Sequence, residues 1–213
     1  MYRHSSSASR YSTHSAHSNY NPGGGFVTQG IRQPPPGADP TLWRWFIAVD
    51  TDGSNAISPE ELQRALVNGN MTPFDIDTCK MLMNIFDTDR SGTIGFNEFV
   101  GLWQYIREWQ NVFRHFDRDN SGTIDGHELS AALHQFGYNL SPALLSLVEH
   151  KYGTIAPATA YGPQSTGITF DRFVRACVVI KQLTEDFRRM DTDRDGWIQI
   201  SYDQFMTSVL RAP

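Results

Sequence analysis

The dodecapeptide DRDNSGTIDGHE, residues 117–128, decides the fold. It sets Asp117, Asp119, Ser121 and Glu128 at positions 1, 3, 5 and 12 of one turn, with Gly122 at position 6 for a sharp bend. Side-chain oxygens at those positions, plus the backbone carbonyl at position 7 (here Thr123), are the spacing by which twelve residues wrap six to eight oxygens around a hard divalent cation. Asp125, at position 9, adds an oxygen directly or through water.

The pattern recurs along the chain. In DTDRSGTIGFNE, residues 87–98, the oxygens come from Asp87, Asp89, Ser91, the carbonyl of Thr93 and Glu98, with Gly92 at the bend. In DTDGSNAISPEE, residues 50–61, they come from Asp50, Asp52, Ser54, the carbonyl of Ala56 and Glu61. There Asn55 replaces the bend glycine, and asparagine is the non-glycine residue that best tolerates positive φ. These three loops are expected to hold Ca²⁺. DTDRDGWIQISY, residues 191–202, offers Asp191, Asp193, Asp195 and the carbonyl of Trp197, but Tyr202 stands where the bidentate Glu belongs. Losing two of roughly seven oxygens weakens Ca²⁺ binding and suits six-coordinate Mg²⁺ better.

Position 8 is Ile57, Ile94, Ile124 or Ile198, the residue that forms a short β-bridge between paired loops. A fifth instance, Ile168 in GITFDRF, ends a damaged loop over residues 153–172, with eight extra residues, no acidic set and Arg172 at position 12. It is expected to be metal-free. Stepping back 1, 4 and 8 residues from each loop start meets Val49, Phe46, Leu42; Phe86, Met83, Cys79; Phe116, Phe113, Trp109; and Met190, Phe187, Leu183. All are apolar, as helices entering the loops in fixed phase require. Stepping forward meets Phe99, Leu102, Trp103; Leu129, Ala132, Leu133; and Phe173, Ala176, Cys177. Eighteen residues separate Glu98 from Asp117, and eighteen separate Arg172 from Asp191, so each stretch reads as one helix shared by two units. The expected architecture is all-α, five helix-loop-helix units over residues 39–213, with Asp39 as N-cap and Pro40 opening the first helix.

Residues 1–38, rich in Ser, His, Gly and Pro, have no apolar periodicity and read as a disordered tail. No apolar run approaches a bilayer-spanning length, and the N-terminus has no secretory h-region. Two distant cysteines, Cys79 and Cys177, in apolar stretches speak for a reducing cytoplasm and core roles. A net charge of −5 excludes a general nucleic-acid binder.

Loops that pair leave an odd fifth unit open, which exposes a bridge edge and Trp197, Ile198, Phe205, Met206 and Val209. A dimer through that unit is expected. Sensor-type units swing a helix and uncover apolar surface as the Glu at position 12 moves inward. Candidate pocket residues are Trp103, Tyr105, Trp109 and Tyr138.

WQNVFRHFDRDNSGTID, FGYNLSP and LTEDFRRMDTDRDGWIQISY make the chain resemble the penta-EF-hand family, across about residues 39–210. The resemblance implies five EF-hands (helix-loop-helix units) and a cytoplasmic homodimer, or a heterodimer with another penta-EF-hand chain, through the fifth hand. It implies tighter sites at the loops starting at Asp50 and Asp117, and apolar pockets that Ca²⁺ exposes to Pro-rich partner proteins. Work in endosomal sorting, vesicle trafficking or membrane repair follows, with membranes reached through partners and no catalytic residues. The alternatives are a calcium buffer and a regulatory subunit of a calpain-like enzyme. The resemblance departs at two places: a well-formed second loop and the insertion in the fourth.

Overall fold

Asp39 starts the ordered helices as a cap. Its carboxylate accepts from the Thr41 and Leu42 backbone N–H groups at 2.6 and 3.3 Å, and Pro40 occupies the first turn, where its missing N–H costs nothing. The computed structural model describes residues 33–155 and 166–211; the segment 1–32, expected to be a tail, and most of the insertion in the fourth unit fall outside that range.

Among the described residues eight helices follow in order: α1 (Pro40–Val49), α2 (Pro59–Ala65), α3 (Ile76–Phe86), α4 (Phe96–Phe116), α5 (Gly126–Gln135), α6 (Pro142–Tyr152), α7 (Phe170–Met190) and α8 (Tyr202–Arg211). Both shared helices are continuous, α4 and α7 running 21 residues each. At 1.5 Å per residue each spans about 31 Å, so adjoining units are joined by a rigid rod.

The loops pair as the position-8 isoleucines require. Ile57 and Ile94 exchange two backbone hydrogen bonds of 2.9 Å, and Ile124 and Ile168 exchange two of 2.8 Å. All four side chains are fully buried. The damaged fourth loop keeps its bridge beside a short ladder: strands β1 (Thr154–Ile155) and β2 (Thr166–Gly167) pair antiparallel, and Ile168 follows directly. A methyl group at Gly167 would fall 2.6 Å from the Thr123 Cβ, so the strand lies flush on the third loop and only glycine fits there.

The core follows the helical phase for four of the five units. Phe46, Cys79, Met83, Phe99, Leu102, Phe113, Phe116, Leu129, Leu133 and Phe173 are all buried. Aromatic edges meet aromatic faces inside it, Phe46 with Phe96 at 5.5 Å and Phe113 with Phe170 at 5.5 Å between ring centroids. In α1 the deepest neighbour of Phe46 is Trp43, stacked on it at 5.6 Å, while Leu42 is half-buried.

The phase expectation fails for the fifth unit. Leu183 is 41 % exposed, Phe187 and Met190 are only half-buried, and α8 buries nothing. Those side chains are apolar in pattern but lack a second unit to close on within one chain. Cys79 and Cys177 are buried free thiols; burial pushes the Cys79 thiol up to about 12 and raises Cys177 as well, so neither carries thiolate at neutral pH. No helix among the described residues is long and apolar enough to cross a membrane.

Phe46 is completely buried, at 0 % exposure. Phe46→Ala should cost about 3–5 kcal/mol in urea unfolding. A loss below about 1 kcal/mol would mean that the pairing of α1 with α4 contributes little to the fold.

Candidate metal sites

Each acidic loop is a chain of backbone N–H groups turned onto its own first carboxylate. Asp117 accepts from Ser121 N at 2.9 Å and Gly122 N at 3.1 Å, and Asp87 accepts from Ser91 N at 2.9 Å and Gly92 N at 2.8 Å. Asp50 accepts from Gly53, Ser54 and Asn55, each at 3.0 Å. Bending the backbone this tightly takes two left-handed residues per loop. Position 6 is one of them, with φ of 65° at Asn55 and 78–83° at Gly92, Gly122 and Gly196, as the spacing predicts. Position 4 is the other: Gly53 at 79°, Arg90 at 59°, Asn120 at 54° and Arg194 at 61°. Glycine and asparagine adopt this region cheaply, whereas an arginine costs about 1–2 kcal/mol there.

The position-12 carboxylates already sit inside the loops. Glu61 Oε1 accepts from Thr51 N at 2.8 Å and Thr51 Oγ1 at 2.9 Å, while Oε2 accepts from Ser58 N at 3.0 Å. Glu98 does the same with Thr88 N at 2.8 Å and Gly95 N at 2.9 Å, and Glu128 with Arg118 N at 2.8 Å and Asp125 N at 3.0 Å. Position 9 is the N-cap of the outgoing helix and position 12 its third residue, so the capping box and the ligand set share one side chain.

In each of the first three loops, carboxylate oxygens from positions 1, 3 and 12 lie within 4.8 Å of one another; in the fifth, Asp191, Asp193 and Asp195 do so. Burial would raise the Glu61 carboxyl, but the hydrogen bonds from Ser58, Thr51 and Asp52 more than offset it and hold the group at about 2. Glu98 is likewise held low by Gly95 and Thr88 against its burial. Asp117 goes the other way: burial raises it, and the nearby Asp119 charge adds to that. Charged oxygens crowded against their own repulsion, with no lysine or arginine among the ligand positions, fit a divalent cation.

The fifth loop is built differently. Asp191 Oδ2 accepts from Gly196 N at 3.1 Å, but its Oδ1 is buried with no hydrogen-bond partner. With Tyr202 at position 12 there is no glutamate to close a capping box from position 9. The box moves two residues on, Ser201 N donating to Gln204 Oε1 at 2.9 Å and Gln204 N to Ser201 Oγ at 3.2 Å. Accordingly α8 begins at Tyr202, loop position 12, whereas α2, α4 and α5 begin at position 10. The fourth loop brings no acidic set together among the described residues, and its Arg172 turns away to Asp75 at 3.3 Å.

Of the aromatic pocket candidates, only Trp103 lines an open cleft. That cleft, about 290 Å³, lies between α1, α2 and α4 and is walled by Trp45, Val49, Leu62, Leu66, Phe99 and Trp103. Trp45 and Trp103 meet at 4.8 Å across it. Tyr105 and Trp109 border a space of about 10 Å³ beside Phe74 and Phe170, too small for a partner. Tyr138 lies elsewhere, under the Arg188 guanidinium at 5.8 Å.

Helix-loop-helix units paired through isoleucine bridges around acidic turns define an EF-hand calcium-binding protein. A family profile for an EF-hand domain pair matches residues 42–104 and 106–210. Peflin of Xenopus laevis is 43 % identical over 173 residues, 81 % of this chain and 59 % of that protein. Sorcin of Mus musculus is 39 % identical over 197 residues, 90 % of this chain and 93 % of sorcin. A homolog of programmed cell death 6 protein from Leishmania major Friedlin, known as a solved structure, superimposes with a TM-score of 0.63 at 31 % identity, covering 79 % of this chain and 92 % of that one. The chain belongs to the penta-EF-hand family, and it spans about three fifths of the length of the Xenopus peflin it matches.

Removing or restoring the position-12 carboxylate tests the ligand sets. Calorimetry should show Glu128→Gln weakening one calcium site at least ~10-fold, and Tyr202→Glu strengthening the fifth loop by a similar factor. Unchanged isotherms in both variants would discard the assignment.

Proposed function

We propose that the chain is a calcium-responsive adaptor that presents an apolar cleft to Pro-rich segments of partner proteins and works as a dimer through its fifth hand. The proposed ligands are Asp50, Asp52, Ser54, Ala56 and Glu61; Asp87, Asp89, Ser91, Thr93 and Glu98; and Asp117, Asp119, Ser121, Thr123 and Glu128. Asp191, Asp193, Asp195 and Trp197 form a weaker set. Bound Ca²⁺ supplies two positive charges among carboxylates that otherwise repel.

The observation that carries the adaptor reading is the cleft wall. Leu62 lies in α2 and Leu66 is the residue that ends it, and Glu61 ties that helix to the first loop through both its carboxylate oxygens. Any change in how the loop holds Glu61 therefore moves one wall of the cleft against the other. Trp103, a wall of the cleft, holds its Nε1 buried with no acceptor in this chain. An unpaired buried donor costs about 1–3 kcal/mol. A Pro-rich segment brings carbonyl acceptors without competing N–H donors, in an extended helix whose ordering cost is already met.

The fifth hand supports the dimer. Trp197 is 80 % exposed and Tyr202 74 %, with Phe205, Val209 and Leu210 beside them on the same unit. A second penta-EF-hand chain, identical or related, can close that unit about a two-fold axis as the first four hands close on each other. Family membership supports a cytoplasmic chain recruited to endomembranes with Ca²⁺, working through partners in vesicle trafficking, endosomal sorting or membrane repair. A calcium buffer is the second reading, favoured by glutamates that already sit inside their loops; it differs in leaving the cleft unchanged.

A fluorescent Pro-rich peptide should bind in Ca²⁺ and not in chelator, and Trp103→Ala should weaken it at least ~10-fold. Equal binding with and without chelator would remove the switch. In sedimentation at micromolar concentration the parent should run as a dimer and Phe205→Glu as a monomer; a monomeric parent would count against closure through the fifth hand.

A further inference from the structure

The segment between α2 and α3 is stitched to the fourth hand, whose described residues bring no acidic set together. Leu66 to Phe74 form a narrow hairpin: Phe74 N donates to Leu66 O at 3.3 Å and Asn68 N to Thr72 O at 2.8 Å. Asn68, 3 % exposed, spends its amide N–H on Thr72 Oγ1 at 3.2 Å and its carbonyl on the Asp171 backbone N–H at 3.1 Å. Asp171, 1 % exposed, returns the contact: its Oδ2 accepts from Asp75 N at 2.6 Å, and its Oδ1 accepts from Thr169 Oγ1 at 2.5 Å. Asp75 in turn caps α3 through Asp77 N at 2.9 Å. Phe74 and Phe170 pack edge to face beside the bonds, with centroids 5.7 Å apart. The outer ion pair Arg175–Asp77, with Asp77 57 % exposed, is screened and adds little.

The third loop reaches this hairpin along two routes. Directly, a methyl group at Gly122 would lie 3.5 Å from Asn70 N and 3.6 Å from the Gly69 carbonyl carbon, so the bend of the loop rests on the bend of the hairpin. Indirectly, the Ile124–Ile168 bridge sits three residues before Asp171. The hairpin begins at Leu66, a wall of the apolar cleft.

We infer that Asp171 and Asn68 form a latch through which the third loop positions the cleft wall at Leu66, so that the inactive fourth hand serves as a coupling element between the two hand pairs. Both residues are positioning residues; neither touches the metal or the peptide. The inference rests on the third loop being a calcium site, and it does not require Pro-rich partners.

Hydrogen exchange of residues 62–75 in the full chain, with and without Ca²⁺, tests it. In the parent, Ca²⁺ should slow exchange of this segment about 5-fold or more, and Glu128→Gln should abolish the slowing. Asp171→Asn and Asn68→Ala should each cut it below about 2-fold, while calorimetry shows the third site within about 3-fold of its parental affinity. Asn68→Ala leaves the Asp171 carboxylate cap in place, so it remains readable if Asp171→Asn does not fold. Calcium-dependent slowing that persists in Asn68→Ala overturns the latch, as does a lowered melting temperature with the calcium effect intact. If calorimetry finds no third site in the parent, the calcium reading falls first, and the latch falls with it.

Discussion

Three glutamates, Glu61, Glu98 and Glu128, each hold two things at once, and the rest of the structure depends on that double duty. One oxygen accepts from the second residue of the loop, and the other accepts from the cap of the outgoing helix. A capping interaction of this kind stabilises a helix start by about 1 kcal/mol. Its larger consequence is geometric, since the helix cannot begin anywhere else while the loop holds the glutamate. The fifth hand supplies the comparison within the same molecule. With Tyr202 at that position, the helix starts two residues later on a Ser201–Gln204 box, and the first aspartate is left with a buried oxygen that nothing satisfies.

The same comparison explains why four hands are closed and one is open. Each bridge buries two isoleucines and two reciprocal backbone hydrogen bonds, and the fourth hand preserves it although its described residues bring no acidic set together. Pairing therefore depends on the position-8 residue and its register, and not on the metal. Ile198 has the right identity but no fifth partner within the chain, which is why the apolar stripe of α8 faces outward in a single copy.

Most of the site was legible in the sequence because its rules are local. Six ligand positions, a bend residue and the helical phase all fall within about a dozen residues, and spacing alone fixes which oxygens converge. What escaped has identifiable causes. Gly53 and Asn120 at position 4 are residues that favour left-handed backbone, and Ser201 followed by Gln204 is a visible capping box, so both signals stood in the sequence unread. Arg90 and Arg194 at position 4 carry no such signal; the loop imposes their conformation. Trp103 lines a cleft, but periodicity cannot say that Trp45 faces it from α1, nor that Tyr105 and Trp109 border a much smaller space of about 10 Å³. Leu183 and Phe187 read as core because their pattern is that of core, but in the single chain Leu183 is exposed and Phe187 half-buried.

The contact furthest from any sequence rule joins the two hand pairs a second time, beside the continuous α4. Asp171 and Asn68 lie 103 positions apart, and neither stands at a ligand position, a bridge or an apolar register site. A carboxylate that is 1 % exposed must have its oxygens satisfied, and here the donors are a backbone N–H of the first pair and a hydroxyl of the second. Exchanging it for an apolar side chain would strand the Asp75 N–H and the Thr169 hydroxyl on a buried surface. Such a contact cannot slide by degrees; it is either made or broken. Through this carboxylate the fourth hand holds the segment between α2 and α3 in place.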